Sequence, residues 1–116
     1  SLLDNGMVVA AICGATLALA SVGLLDRRRH TSNAADYLKM FCPGYRGEEY
    51  YQEQPVVVDG GLITAGSFAP LEFAHAIFGA TGVMRPATLE AWYNLHKTRE
   101  ARFFYALMES LPRREG

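Results

Sequence analysis

The chain has 116 residues, of which 50% are hydrophobic and 20% charged, and its formal net charge is −1. This length allows one domain at most, and the composition is that of a globular protein and excludes a disordered one. A net charge so close to zero gives no general attraction to nucleic acid or to acidic membranes, so we expect neither as a partner.

The first apolar stretch, residues 7–25, carries no charge and is long enough to cross a bilayer, which leaves a membrane span as an alternative. Its composition favours a different structure. Residues 7–12 are partly β-branched, as in a buried parallel strand, whereas residues 15–25 are rich in Ala and Leu, as in a buried helix. We therefore predict a strand over 7–12, a sharp turn that needs Gly14, and a helix over 15–23.

The rest of the chain predicts further strands alternating with helices. In chain order these are a short strand over 28–32, a helix over 34–41 capped by Ser32 or Asn33, an irregular segment over 44–54, a β-hairpin over 55–65, a helix from Pro70 to about residue 80 and a long last helix over about 86–110. This alternation indicates an α/β fold with a parallel or mixed sheet.

The predicted sheet is thin for such an apolar first strand. Strand 7–12 is apolar on both faces, so it needs neighbouring strands on both edges and helices above and below. We expect residues 3–114 to form one domain that lacks its amino-terminal part, or one that completes its core with a second copy.

The two cysteines, Cys13 and Cys42, do not form a C-x-x-C pair, which argues against a structural zinc site and favours two free thiols. No phosphate-binding loop, dinucleotide fingerprint or metal cluster is present, so we predict neither a cofactor nor a metal.

Cys13 lies at the predicted turn between the first strand and the first helix, where many hydrolases place a nucleophile. Ala11 and Ala15, two residues to either side, are as small as such a turn requires. The helix N-terminus would favour the thiolate, and the backbone N–H of Gly14 could hold a developing oxyanion. The alternative is that Cys13 is a small buried core residue.

Several segments, in their order along the chain, resemble the ThiJ/PfpI family within the class I glutamine amidotransferase-like superfamily. They are AAICGA at 10–15, GLLD at 23–26, HTSN at 30–33, VVDGGLITAG at 57–66 and LEFA at 71–74. The resemblance implies a partial flavodoxin-like, doubly wound sheet of parallel strands plus a β-hairpin, with flanking helices and an extra long C-terminal helix.

The resemblance also implies site residues. Cys13 matches the family nucleophile, and His30 takes a place where several members carry a histidine beside that cysteine, as a base or an ion-pair partner. Alternatively, His30 is a strand-end histidine bonded to a nearby loop. Family members include deglycases, glyoxalases, chaperones, proteases and an isocyanide hydratase, so membership does not fix the reaction.

We accordingly predict a cysteine-dependent hydrolase or lyase that acts on a small carbonyl or amide substrate, in a cytoplasmic homodimer, as is usual for the family. The alternative is a non-catalytic fragment, or a redox-sensing or ligand-binding module with an incomplete site.

Three departures from the family count, in turn, against a protease, against a glutamine-hydrolysing enzyme and against a complete site. Gly14 stands where the protease branch has a histidine, no histidine begins a His-x-Glu motif, and the amino-terminal glutamate that hydrogen-bonds the cysteine in many members is absent from this sequence.

Overall fold

A computed structural model of the chain describes residues 6–112. The predicted domain limits, at residues 3 and 114, lie outside the described residues. The elements are β1 (Val9–Ile12), α1 (Ala15–Ser21), α2 (Ala35–Phe41), a 3-10 turn (Glu48–Tyr50), β2 (Val56–Asp59), β3 (Leu62–Ala65), α3 (Pro70–Thr81), α4 (Pro86–Thr98) and α5 (Ala101–Ser110). The predicted α/β class is confirmed.

The three strands form a mixed sheet in the order β1-β3-β2. β1 runs parallel to β3, with Ile12 opposite Ala65, and β2 and β3 form the predicted antiparallel hairpin. All four residues of β3 are buried, as expected for a central strand. Because β1 and β3 are parallel, the residues that follow Ile12 and Ala65 emerge at the same edge of the sheet.

The main core cluster lies where α1, α2 and the loop after α2 meet the sheet, and it consists of Ala20, Leu25, Leu38, Cys42, Tyr45 and Leu62. Gly23, at φ 80°, follows the end of α1, and the N–H groups of Gly23 and Leu24 donate to the carbonyls of Ala20 and Leu19. This arrangement is a Schellman cap, which ends α1 two residues earlier than predicted.

The predicted strand over 28–32 is wrong in its length. Of these five residues, His30 alone forms a β-bridge, with Tyr51. The segment leaves this pairing because the next residue, Thr31, donates its N–H to the Thr64 hydroxyl of β3. The predicted cap of α2 is also wrong, because Ala34 holds that position without a side-chain bond.

The predicted last helix is two helices, α4 and α5. Arg99 ends α4 in the left-handed region at φ 61°, with its N–H donating to the Leu95 carbonyl. The hydroxyls of Thr88 and Ser110, 2.9 Å apart, join the start of α4 to the end of α5, so the helices form an antiparallel hairpin. None of the helices within residues 6–112 is long and apolar enough to cross a membrane.

Candidate active site

Cys13 occupies a strained turn between β1 and α1. Its backbone lies in the left-handed region at φ 57°. A residue other than glycine adopts this conformation at a cost of about 1–2 kcal/mol. Its N–H donates to the Ala65 carbonyl at 3.0 Å, which extends the β1–β3 pairing into the turn. Gly14, by contrast, has helical φ of −62°, so the prediction that Gly14 supplies the tight turn is wrong. The thiol of Cys13 is free and its residue is partly exposed.

A buried chain of hydroxyls holds the backbone of this turn. The Thr16 hydroxyl donates to the Cys13 carbonyl at 2.6 Å, and the Ser32 hydroxyl lies 2.7 Å from that of Thr16. Since the single Thr16 proton goes to the carbonyl, Ser32 donates to Thr16. Thr16 and Ser32 are both buried. The segment that follows His30 is thereby fixed against the turn that carries Cys13.

Asn33, the next residue of this segment, reaches the sulfur. Its Nδ2 donates to Cys13 Sγ at 3.7 Å, and its Oδ1 accepts the backbone N–H of Ser67 at 2.8 Å. Gly66 permits this approach, because a Cβ at that position would lie 2.8 Å from the Ser32 carbonyl oxygen. The turn after β1, the segment after His30 and the loop after β3 therefore converge on one edge of the sheet.

His30 is fully buried, and both of its ring nitrogens are hydrogen-bonded. Nδ1 lies 2.6 Å from the Arg28 carbonyl, to which it donates, and Nε2 lies 2.6 Å from the Tyr45 hydroxyl, from which the neutral ring accepts. Burial lowers the pKa of His30, although the Arg28 carbonyl and the charge of Asp26 oppose that effect. Among the hydrogen bonds of residues 6–112, none joins His30 to Cys13, so its catalytic role stays a prediction.

Two adjoining cavities, of about 300 and 290 Å3, open beside Asn33. Both are lined by Ser32, Asn33, Gln54 and Pro55. The larger also contacts Glu72 and Phe68, and Phe68 is 96% exposed. A ligand in these cavities would lie next to the amide that contacts the sulfur of Cys13.

Within the part of the chain that the structure describes, neither a metal cluster nor a second thiol accompanies Cys13. No group of three His, Cys, Asp or Glu side chains between residues 6 and 112 is placed to hold a metal ion. Cys42 is buried in the core cluster behind α2. The arrangement offers a thiol, an amide donor and backbone N–H groups at a strained turn, which suits nucleophilic attack on a polarised carbon.

The sequence did not identify Asn33 as a site residue. The available signal was its position directly after the predicted strand over 28–32, which would end at the same sheet edge as strand 7–12 if the two were parallel.

Comparison with known proteins identifies the family. The sequence profile described as the DJ-1/PfpI family matches residues 1–80. The chain belongs to the DJ-1/PfpI family. The resemblance to ThiJ/PfpI proteins seen in the sequence is thereby confirmed.

Two relatives from Bacillus subtilis (strain 168) are both named as uncharacterized proteases. The first, YoaZ, is 48% identical over 96% of this chain and 53% of its own length, and YdeA is 37% identical over 75% of this chain and 44% of its own. The chain therefore spans about half the length of these relatives.

Two solved structures share the fold. A thiJ/pfpI family protein from Bacillus anthracis superposes with a TM-score of 0.91 at 49% identity, over 96% of this chain and 52% of the other. A DJ-1 superfamily protein from Agrobacterium tumefaciens gives a TM-score of 0.74 at 39% identity, over 83% of this chain and 50% of the other.

Proposed function

We propose that this DJ-1/PfpI domain takes part in a cysteine-dependent hydrolase or lyase reaction on a small carbonyl or amide substrate, with Cys13 as the nucleophile. The observation that carries the proposal is the left-handed backbone of Cys13, at φ 57°, in the turn between β1 and α1. Strain of this kind persists only where the surrounding structure imposes it, and it occurs disproportionately at reactive residues. The protease names of the two B. subtilis relatives support a hydrolytic reaction.

The proposed hydrolysis of an amide proceeds in two steps. The Cys13 thiolate attacks the carbonyl carbon, and the electron pair of the C=O double bond moves to oxygen. The backbone N–H of Gly14 is the proposed donor to this oxyanion. Collapse of the intermediate breaks the C–N bond, and the amine leaves with a proton from water. A second water then cleaves the thioester, which releases the acid and restores the thiolate.

His30 stands outside this chemistry in the proposal. Its Nε2 accepts the Tyr45 hydroxyl and its Nδ1 donates to Arg28, so the neutral ring has no free nitrogen to take a proton from Cys13. We propose instead that His30 anchors the segment whose next residues, Ser32 and Asn33, contact the turn.

The test compares wild type with Cys13→Ala on a panel of peptide, small amide and 2-oxoaldehyde substrates, with Cys42→Ala as the matched control. Loss of the nucleophile is expected to lower kcat by about 10⁴-fold or more, whereas Cys42→Ala retains activity. When the reaction with substrate is quenched and the mass of the intact protein is measured, we expect an adduct on Cys13 alone. Turnover by Cys13→Ala at the wild-type rate would refute the proposal. Absence of both turnover and adduct in wild type would favour the non-catalytic alternative.

A further inference from the structure

The amide of Asn33 is held in one orientation by two hydrogen bonds of opposite direction. Its Oδ1 accepts the Ser67 N–H at 2.8 Å, and its Nδ2 faces Cys13 Sγ at 3.7 Å. A backbone N–H can only donate, so the amide atom that faces Ser67 must be the oxygen. The NH2 group is therefore the one that faces the sulfur, and an NH2 group only donates.

We infer that Asn33 stabilises the thiolate of Cys13 by hydrogen-bond donation, and does not act as a base toward the thiol. The inference rests on the proposed function, since it concerns the activation of the same nucleophile. A donor bonds a charged acceptor more strongly than a neutral one, so the contact favours thiolate over thiol. Because the amide cannot take the thiol proton, the proton passes to water before attack, and the NH2 group remains on the sulfur.

The donor is fixed in place before any substrate arrives. The neighbouring Ser32 is buried, its hydroxyl bonds Thr16, and its carbonyl accepts the Tyr51 hydroxyl at 3.2 Å. On the other side, Ser67 follows Gly66, whose missing side chain lets the two backbones meet. A donor that needs no reorganisation stabilises charge more effectively than a mobile one.

The charged side chains that line the cavities beside Asn33 are carboxylates. The cavities beside it are lined by two carboxylates, Glu53 from the loop before β2 and Glu72 from α3, and by no Lys or Arg among residues 6–112. From α2, the hydroxyl of Tyr37 lies near Gly14, and the partners of the buried His30 are Arg28 and Tyr45. None of the residues that line these cavities carries a positive charge, so the donor that the structure places on the sulfur is the neutral amide of Asn33.

The experiment measures alkylation of Cys13 by iodoacetamide against pH, followed by intact mass, in the whole chain with Cys42→Ala as background. Asn33→Asp keeps the shape and the oxygen that accepts Ser67 N–H but replaces the NH2 group. Asn33→Leu removes the donor without adding charge, and it separates donor loss from repulsion. Asn94→Asp, on α4, is the matched control for the added charge.

We expect the midpoint of the alkylation profile to rise by about one pH unit in Asn33→Leu, since a hydrogen bond to a charged group contributes about 1.5 kcal/mol or more. The rise should be larger in Asn33→Asp, because the added carboxylate also repels the thiolate. At a pH below the wild-type midpoint, the alkylation rate should fall about tenfold. Asn94→Asp should leave the profile unchanged. Unchanged midpoints in Asn33→Asp and Asn33→Leu would overturn the inference. That result would leave the nucleophile intact, because turnover by Cys13→Ala tests the proposed function separately.

Discussion

At the scale of single residues, the pair of His30 and Tyr45 shows how a buried polar contact constrains the fold. The Tyr45 hydroxyl donates to His30 Nε2, and the two rings meet edge to face with centroids 5.6 Å apart. Burial raises the pKa of Tyr45, chiefly by desolvation, so its hydroxyl remains a donor. A proton on Nε2 of His30 would face that donor in a site without water access, which is the physical reason that the neutral ring is favoured.

This pair makes stability sensitive to mild acid. Burial lowers the pKa of His30 below its usual 6.5. As the pH falls below about 6.5, His30 therefore becomes protonated in the unfolded chain while it stays neutral in the folded chain. The free energy of unfolding should therefore decrease by about 1 kcal/mol between about pH 7 and about pH 5.5. Urea unfolding at several pH values measures this decrease. His30→Gln should remove this pH dependence and lower the free energy of unfolding at every pH. His96→Gln, on the exposed surface of α4, should leave the pH dependence unchanged. If the free energy of unfolding changed equally with pH in wild type and in His30→Gln, the pH dependence would not come from His30.

The sequence located the turn that carries Cys13 for physical reasons that the structure makes clear. Small residues around Cys13 and the change from β-branched to Ala-rich composition are local signals, and they located the turn correctly. The partner of the sulfur depends on a contact across 20 positions, between Cys13 and Asn33. The sequence shows that Asn33 carries a hydrogen-bonding side chain but not which group it bonds. From its place before the helix over 34–41, the sequence therefore predicts a helix cap at Ser32 or Asn33.

At the scale of elements, the loop between α2 and the 3-10 turn depends on one close backbone approach. A Cβ on Gly47 would lie 2.3 Å from the Leu25 carbonyl oxygen and 2.9 Å from the rings of both His30 and Tyr45. The nearest of these atoms is backbone, which cannot rotate away. Gly47 is therefore required by packing and not by its own backbone angles.

Replacing Gly47 by Ala should lower the free energy of unfolding by about 2–3 kcal/mol, as overpacking of a tight core site does. Gly44→Ala is the matched control in the same loop, because a Cβ there meets no atom within 4 Å, and its effect should stay within about 0.5 kcal/mol. Chemical denaturation of both variants measures the difference. Equal stabilities of the two variants would show that the loop relaxes freely.

The elements that the sequence predicted well are those with local signals. Gly60 and Gly61 indicated the hairpin, and Pro70 indicated the first turn of α3. The break between α4 and α5 had no such signal, because Arg99 adopts a left-handed angle that sequence reasoning assigns to glycine or asparagine. The over-long strand at 28–32 failed because only His30 finds a partner.

At the scale of the whole molecule, the chain exposes more surface than a closed domain of its size. Its radius of gyration is 16.6 Å, against about 13 Å for a compact chain of this length. Its accessible surface is 7517 Å2, against about 6,300 Å2 for a typical monomer of 12.8 kDa. The excess, about 1,200 Å2, is larger than the roughly 800 Å2 that each partner buries in an interface of standard size. Neither α3 nor α5 has a buried residue.

We predict that this surface drives association with a second copy, through an apolar face formed by Phe104 and Met108 of α5 and by Leu111, which directly follows the helix. These residues are 41–53% exposed and follow one another at helical spacing. Sedimentation velocity over a broad concentration range should show a species heavier than the 12.8 kDa monomer. Met108→Glu should shift the equilibrium toward monomer because it places a charge in an apolar contact, whereas Ala106→Glu, exposed on the same helix, should leave association unchanged. A monomer at every concentration, or equal effects of the two substitutions, would exclude α5 as the interface.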